Sequence, residues 1–315
     1  MNCYQAIFKV QGLLKIPIVS DTLWGHVAWG IALEEGDEFL EAFLHEYNTS
    51  PPLVLSNGFP SGYLPKPQFQ SPPLDYDNIK DLMAATYLPR ELFKEPLGWH
   101  TINAFMDSSD FKSALMATEA RMRNAIDRYS STVEGEKLWS EAGLYWYEAS
   151  NEKAKKMRID TFDVYCLTSW PKDELGKRIE QALYYGYGGK ASIGYGKVAL
   201  VDIHESELPS QGKRAMALGT FIPAKDEKLQ SLAAKIVVRN GKLGPIFAAT
   251  MNPFKKPLVF YDESTTFDRP KAEYVGELVP NVHPDERICS CGMTLCIAFS
   301  EEQQLSSERK EAIHA

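Results

Sequence analysis

The sequence holds no apolar run approaching the ~20 residues that a membrane-spanning helix needs, so it contains no helical anchor of that kind. Its five cysteines (Cys3, Cys166, Cys289, Cys291 and Cys296) are odd in number and lack framework spacing. That excludes a disulfide scaffold and is the pattern of reduced thiols in a cytoplasmic protein. Basic residues are in deficit: 34 Lys and Arg against 42 Asp and Glu, for a net charge of −8. Such a balance excludes indiscriminate binding to nucleic acid, where affinity comes from neutralising phosphates. It leaves room for a local basic groove on an acidic body. The first twenty residues lack both a charged n-region and a small-residue cleavage site, so they are expected to open the fold as a strand rather than serve as a signal peptide. There is no internal repeat, no nucleophile elbow, no H-E-x-x-H and no adjacent His–Asp pair. His283, Cys289, Cys291 and Cys296 are spaced H-x5-C-x-C-x4-C, which suits a tetrahedral zinc site poorly. No catalytic residue, metal or cofactor is therefore expected.

What is present is an ordinary globular composition, 44% hydrophobic and 24% charged, over 315 residues. That length suits roughly two domains of about 150 residues each. Residues 4–14 are rich in β-branched and aromatic side chains and predict a strand. Ser20-Asp21-Thr22 reads as a helix cap before the apolar stretch from Leu23 to Leu33, in which Gly25, Ala28 and Gly30 make a small-residue face. A second, acidic helix is predicted from Asp37 to Tyr47, with Phe39, Leu40, Phe43, Leu44 and Tyr47 on its inner face. Prolines and glycines break up residues 48–75, and a helix is predicted around 110–121. A hairpin is predicted over 121–148, turning near Glu134-Gly135-Glu136, followed by a basic cluster of Lys153, Lys155, Lys156 and Arg158. A strand at 159–168, a helix at 172–185 and the strand VALVDIH close the first part. The order β-α-insert-β-β-α-β is that of a ferredoxin-like, RNA-recognition-like sandwich. The fold class expected is α+β, with two ferredoxin-like domains. The first covers 1–204, with an insertion at about 48–120. The second, smaller one covers 205–315 and includes a helix at 226–236.

The densest signal is Gly186-Tyr187-Gly188-Gly189-Lys190-Ala191-Ser192-Ile193-Gly194-Tyr195-Gly196-Lys197. Glycines admit positive φ and let backbone N–H groups approach an anion, while Lys190, Lys197 and Ser192 add charge and a hydrogen bond. A dinucleotide fingerprint is excluded, because here a helix precedes the glycines and a strand follows. On the hairpin arm, Arg121 and Arg123 share one face by alternation, and their planar forks suit adjacent phosphates.

Three segments together resemble the RAMP-superfamily subunit that caps the guide-RNA 5′ handle in type III-A (Csm) CRISPR effector complexes. They are Ser20-Asp21-Thr22-Leu23-Trp24-Gly25, Asn124-Ala125-Ile126-Asp127-Arg128, and Gly188 to Lys197; Lys256-Pro257-Leu258-Val259-Phe260 is a weaker fourth. Lys190 stands where this family often has an acidic residue. The resemblance implies a non-catalytic antiviral-defence subunit that touches the crRNA 5′ handle, a large polymerase-like subunit and the adjacent RAMP subunit of the filament. On that basis Arg121, Arg123, Arg128, Lys190 and Lys197 are expected at phosphates. Asn124 lies in the same matched segment. Gly188, Gly189, Ser192, Gly194 and Gly196 are expected to shape the loop and offer N–H groups. Ser20, Asp21 and Thr22 are expected to position the first helix and touch sugar. Tyr187 and Tyr195 are expected where a ring meets a base. A rival within the superfamily is a metal-independent guide-processing ribonuclease, with His26 as its acid/base.

Overall fold

The computed structural model describes residues 1–72, 79–150, 157–244 and 252–302. Lys153, Lys155 and Lys156 of the predicted basic cluster lie outside the described residues. The first 205 residues run β1 (Asn2–Val10), α1 (Ser20–Glu34), α2 (Asp37–Glu46), β2 (Leu53–Pro60), β3 (Tyr63–Pro65), α3 (Ile79–Ala84), β4 (Tyr87–Pro89), α4 (Trp99–Met106), β5 (Lys112–Ile126), β6 (Val133–Ser150), β7 (Met157–Ile159), β8 (Thr161–Thr168), α5 (Lys172–Leu183) and β9 (Val198–Glu205). The rest is β10 (Arg214–Ala217), β11 (Ile236–Arg239), β12 (Leu258–Tyr261), β13 (Thr266–Asp268), β14 (Tyr274–Val279) and β15 (Ser290–Phe299). No helix among the described residues is long and apolar enough to cross a membrane.

The chain is thus mixed α and β. β1 alternates, with Tyr4, Ala6, Phe8 and Val10 buried, and it pairs antiparallel with both β8 and β9. The main sheet has the order β2-β8-β1-β9, and without the insert its succession is β-α-β-β-α-β. α5 buries Leu175, Ile179, Ala182 and Leu183, the stripe expected from its spacing. Fully burying each large aliphatic side chain contributes ~1.5–3 kcal/mol, which offsets the mostly polar remainder of that helix. α1 packs on α5 at Gly30, where a Cβ would rest in ordinary contact 3.5 Å from the Ala182 nitrogen, whereas Gly25 has nothing within 4 Å.

Several expectations are corrected. The stretch Leu53–Pro60 is not part of an irregular insert. All eight residues are buried as the outer strand of the main sheet, with a register shift between Leu55 and Gly58 that absorbs the Ser56-Asn57 step. The inserted segment therefore starts after Pro60. The predicted helix at 110–121 is instead the first arm of a long hairpin: β5 pairs with β6 from Lys112–Ser150 to Ile126–Val133, and the turn falls at 127–132 rather than 134–136. Ala, Met, Glu and Arg favour a helix, but fourteen cross-strand pairings override that weak preference. Phe39 is exposed, because α2 turns it away from the Phe43–Tyr47 side.

The C-terminal sheet has the order β13-β10-β15-β14. The described residues of 205–302 contain no helix, so the helix predicted at 226–236 is a correction too. There, Ala233 exchanges backbone hydrogen bonds with Thr266, and the Asp268 N–H donates to Gln230, so the segment extends the β13 edge. Cys291 and Cys296 stand five apart on β15 and so point to opposite faces, Cys291 into the main core and Cys296 against a smaller one around Phe221 and Phe267.

The main core continues from β1, β8 and α1 into Met216, Leu218, Met293, Leu295, Ile297 and Phe299 of the C-terminal sheet. At this seam Asn57 joins three elements. Its Oδ1 accepts from the Ser20 N–H at 2.8 Å, its Nδ2 donates to Glu263 at 2.6 Å, and its backbone N–H donates to Leu218 at 2.7 Å.

Candidate nucleic-acid interface

The glycine-rich loop leaves α5 and returns to β9 through a 3₁₀ turn over Ala191–Ile193. Gly186, Gly188, Gly194 and Gly196 all have φ between 67° and 91°, and Lys190 has a φ of 60°. Four of the glycines thus occupy conformations that side chains disfavour. The loop is sewn to its surroundings. The Tyr187 N–H donates to the Gly196 carbonyl at 2.8 Å, and the Gly196 N–H donates to Leu13 at 2.9 Å. The buried Tyr187 hydroxyl accepts from the Val19 N–H at 2.7 Å and donates to the Pro17 carbonyl at 2.9 Å.

His26, nearly two turns into α1, accepts from the Gly188 N–H at 3.2 Å and hydrogen-bonds the Ala182 backbone; burial pushes its pKa below the usual imidazole value. A neutral ring donating to Ala182 and accepting from Gly188 satisfies both bonds. This corrects two expectations. The N–H groups of Gly188, Gly194 and Gly196 are engaged within the protein, with Gly194 donating to Ala191. The rings of Tyr187 and Tyr195 are 1% and 2% exposed, so neither offers a face to a base. Gly189, Lys190, Ser192, Ile193 and Gly194 are the exposed part of the loop between Gly188 and Tyr195.

The hairpin meets this loop. Arg123 donates to the Ile193 carbonyl at 3.0 Å and lies 5.6 Å from the Tyr195 ring centroid. Gly143 on the facing strand β6 makes the contact possible, since a Cβ there would come within 2.6 Å of Leu13 and 2.8 Å of the Tyr195 ring. Glu141, also on β6, is ion-paired with Lys190, and the Lys190 hydrogen bond, reinforced by Lys15 and Arg123, holds its carboxyl below the usual carboxylate range. Lys15 sits over the same Tyr195 ring at 4.6 Å. Arg158 of β7 donates to the Gly12 carbonyl at 3.1 Å. Arg121 is exposed beside Glu119, at 3.1 Å. Asn124 is exposed on β5, Arg128 in the turn and Lys197 just before β9. The result is a cationic margin of Lys15, Arg121, Arg123, Arg158, Lys190 and Lys197 with Glu119 and Glu141 set into it.

The third segment borders the loop from the other side. α1 starts at Ser20, capped by no side chain, so Ser20 and Asp21 are not caps but first-turn residues. Ser20 is 2% exposed, facing the seam, which places its hydroxyl out of reach of a sugar. Asp21 pairs with Arg239 of β11 at 2.9 Å, and Arg239 also donates to the Thr22 hydroxyl at 3.1 Å. Lys15 and Arg158 were not singled out as contacts from the sequence. Lys15 carries no motif, and Arg158 reads only as one member of a charge run.

Solved structures share this fold. A Csm3–Csm4 subcomplex in the type III-A CRISPR-Cas interference complex aligns over 95% of this chain and 100% of that chain, at 14% identity and a TM-score of 0.57. Csm1–Csm4 cassettes in complex with AMPPNP and with pppApA align over 96% of this chain and 99% of theirs, at 17% and 16% identity and TM-scores of 0.54 and 0.53. No family model and no curated protein matches the sequence. The class that the sheet order defines is a mixed α and β fold shared with chains of type III-A Csm complexes. Within it, the chain has the fold of a Csm4-like subunit, in agreement with the resemblance carried by the three sequence segments.

Proposed function

We propose that the chain is a non-catalytic subunit of a type III-A CRISPR effector complex, which binds the 5′ handle of the guide RNA and bridges the large polymerase-like subunit to the guide-binding filament in the cytoplasm. The observation that supports this reading best is that three segments far apart in sequence meet at one place. α1 touches the loop through His26, and the hairpin touches it through Arg123 and Glu141. Bonds to RNA phosphate need cations held at fixed positions, and this margin has them. In this reading residues 1–204 are a ferredoxin-like RNA-binding unit and 205–315 a second, smaller unit, whose strand β15 packs against α1.

The direct test is to purify the chain with its complex and sequence the RNA it holds. Short RNAs sharing a 5′ tag are expected, and their absence would end the proposal. A finer test uses the salt dependence of RNA binding. Lys197→Ala is expected to reduce the slope of log affinity against log salt by ~0.7, the value for one lost phosphate contact on a single strand. Lys190→Ala is expected to change it less, since Glu141 already balances that charge. Equal effects would show that the Lys190–Glu141 pair does not survive on RNA.

The ribonuclease reading would need an imidazole free to exchange protons, and His26 has both nitrogens engaged. Pure chain incubated with repeat RNA is expected to leave it intact. Cleavage that disappears in His26→Ala would reverse the assignment.

A further inference from the structure

The aromatic side chains that face solvent at the glycine-rich loop are not the two within it but the two before it. Tyr184 and Tyr185 are 80% and 64% exposed, with ring centroids 4.9 Å apart and nearly perpendicular planes. They follow the last residue of α5, past the inward stripe of Leu175, Ile179, Ala182 and Leu183. The loop folds back on the backbone that follows them. A Cβ on Gly186 would stand 2.9 Å from the Ala191 Cβ, which brings the Ala191–Ile193 turn beside residues 184–186. That turn presents exposed Ser192 and Ile193 and follows directly on Lys190. Two large rings are therefore held in water at the edge of a cationic margin, where tyrosine would ordinarily bury most of its ring.

We infer that Tyr184 and Tyr185 are a stacking platform for unpaired bases of the RNA whose phosphates follow Lys190, Lys197 and Arg123. The inference rests on the RNA-binding reading and adds to it where the bases go. Bases are favoured over a protein surface because the segment that carries the rings lies beside a turn bearing Lys190, Ser192 and exposed Gly189. The core of a protein–protein contact is depleted of charge. Aromatic rings beside a basic groove are the ordinary means of holding single strands without reading their sequence.

The test uses the full chain at low salt and two probes: a twelve-nucleotide oligoadenylate RNA carrying 2-aminopurine, and an abasic ribose-phosphate strand of the same length. The wild type is expected to bind the base-bearing RNA with quenched 2-aminopurine fluorescence, and to bind the abasic strand more weakly. Tyr184→Ala with Tyr185→Ala is expected to lose about 5- to 150-fold in affinity per stacked base for the base-bearing RNA. It should lose nothing for the abasic strand. Tyr184→Phe with Tyr185→Phe should keep both affinity and quenching, which separates stacking from hydroxyl bonding and from misfolding. If the wild type binds RNA and the alanine pair binds it equally well, the platform is wrong while the RNA-binding reading stands. Unchanged RNA binding with loss of copurifying protein subunits assigns the rings to a protein contact and also overturns the inference. If the wild type binds neither probe, both readings fall.

Discussion

Replacing Gly196 by alanine is expected to cost about 2–5 kcal/mol of stability and to abolish RNA retention, whereas Gly194→Ala should cost only about 1 kcal/mol. Both glycines have positive φ, 67° at Gly196 and 91° at Gly194. A side chain in that region costs ~1–3 kcal/mol by itself. The two differ in what a methyl group would meet. At Gly194 nothing lies within 4 Å, while at Gly196 the Cβ would stand 1.9 Å from the Tyr187 carbonyl oxygen. That oxygen belongs to backbone that has no slack, because Tyr187 is held at its own N–H by Gly196 and at its hydroxyl by Val19 and Pro17. Relief requires the two ends of the loop to part, and Gly188 then leaves His26. Urea denaturation measures the stability difference, and copurifying RNA measures the loop. Similar costs for the two variants would mean that the loop yields easily and that its shape is not what positions the cations.

The second large effect lies at the seam between the sheets. Glu263→Gln is expected to stabilise the fold by roughly 3 kcal/mol at pH 8 and to leave it nearly unchanged at pH 4. Burial raises the Glu263 carboxyl from 4.5 to about 7, against an opposing hydrogen bond from Asn57. A raised carboxyl pKa means that the folded chain holds the proton more tightly than the unfolded one. Below 4.5 both states are protonated and the group contributes nothing. As pH rises from 4.5 to 7, the unfolded chain ionises first and stability falls, and above 7 the full cost of a buried carboxylate is present. Glutamine keeps an oxygen to accept from Asn57 Nδ2 and has no charge to desolvate. Denaturation series at the two pH values decide it, and a pH-independent effect would place the carboxylate in contact with water. The seam links Glu263 through Asn57 to the Ser20 N–H at the start of α1, so wild-type stability at mildly acidic pH should exceed that at pH 8 in this region.

The periodic elements were legible in the sequence: the alternation of Tyr4, Ala6, Phe8 and Val10, and the stripe of Leu175, Ile179 and Leu183, lie where spacing places them. So was the glycine-rich loop, since four positive-φ glycines are needed for its turns. The long hairpin was not. Residues 112–126 carry helix-favouring side chains, and only pairing with β6 makes them a strand. β2 was hidden among prolines because its burial comes from β8 on one side and the C-terminal sheet on the other.

By itself, the sequence determined that this is an acidic, mixed α and β chain with a glycine-and-lysine loop between a helix and a strand. It also determined which segments resemble one another's counterparts in a guide-RNA-binding family, because local spacing and turn chemistry depend on near neighbours. The tertiary structure alone decided which charges and rings are available at the site. Lys190 meets Glu141 from 49 residues away, Tyr187 and Tyr195 are sealed under α1 and the hairpin, and Tyr184 and Tyr185 are left in water. How much of a charge or a ring the site can use depends on what the fold has already claimed, and the claimants arrive from segments remote in the chain.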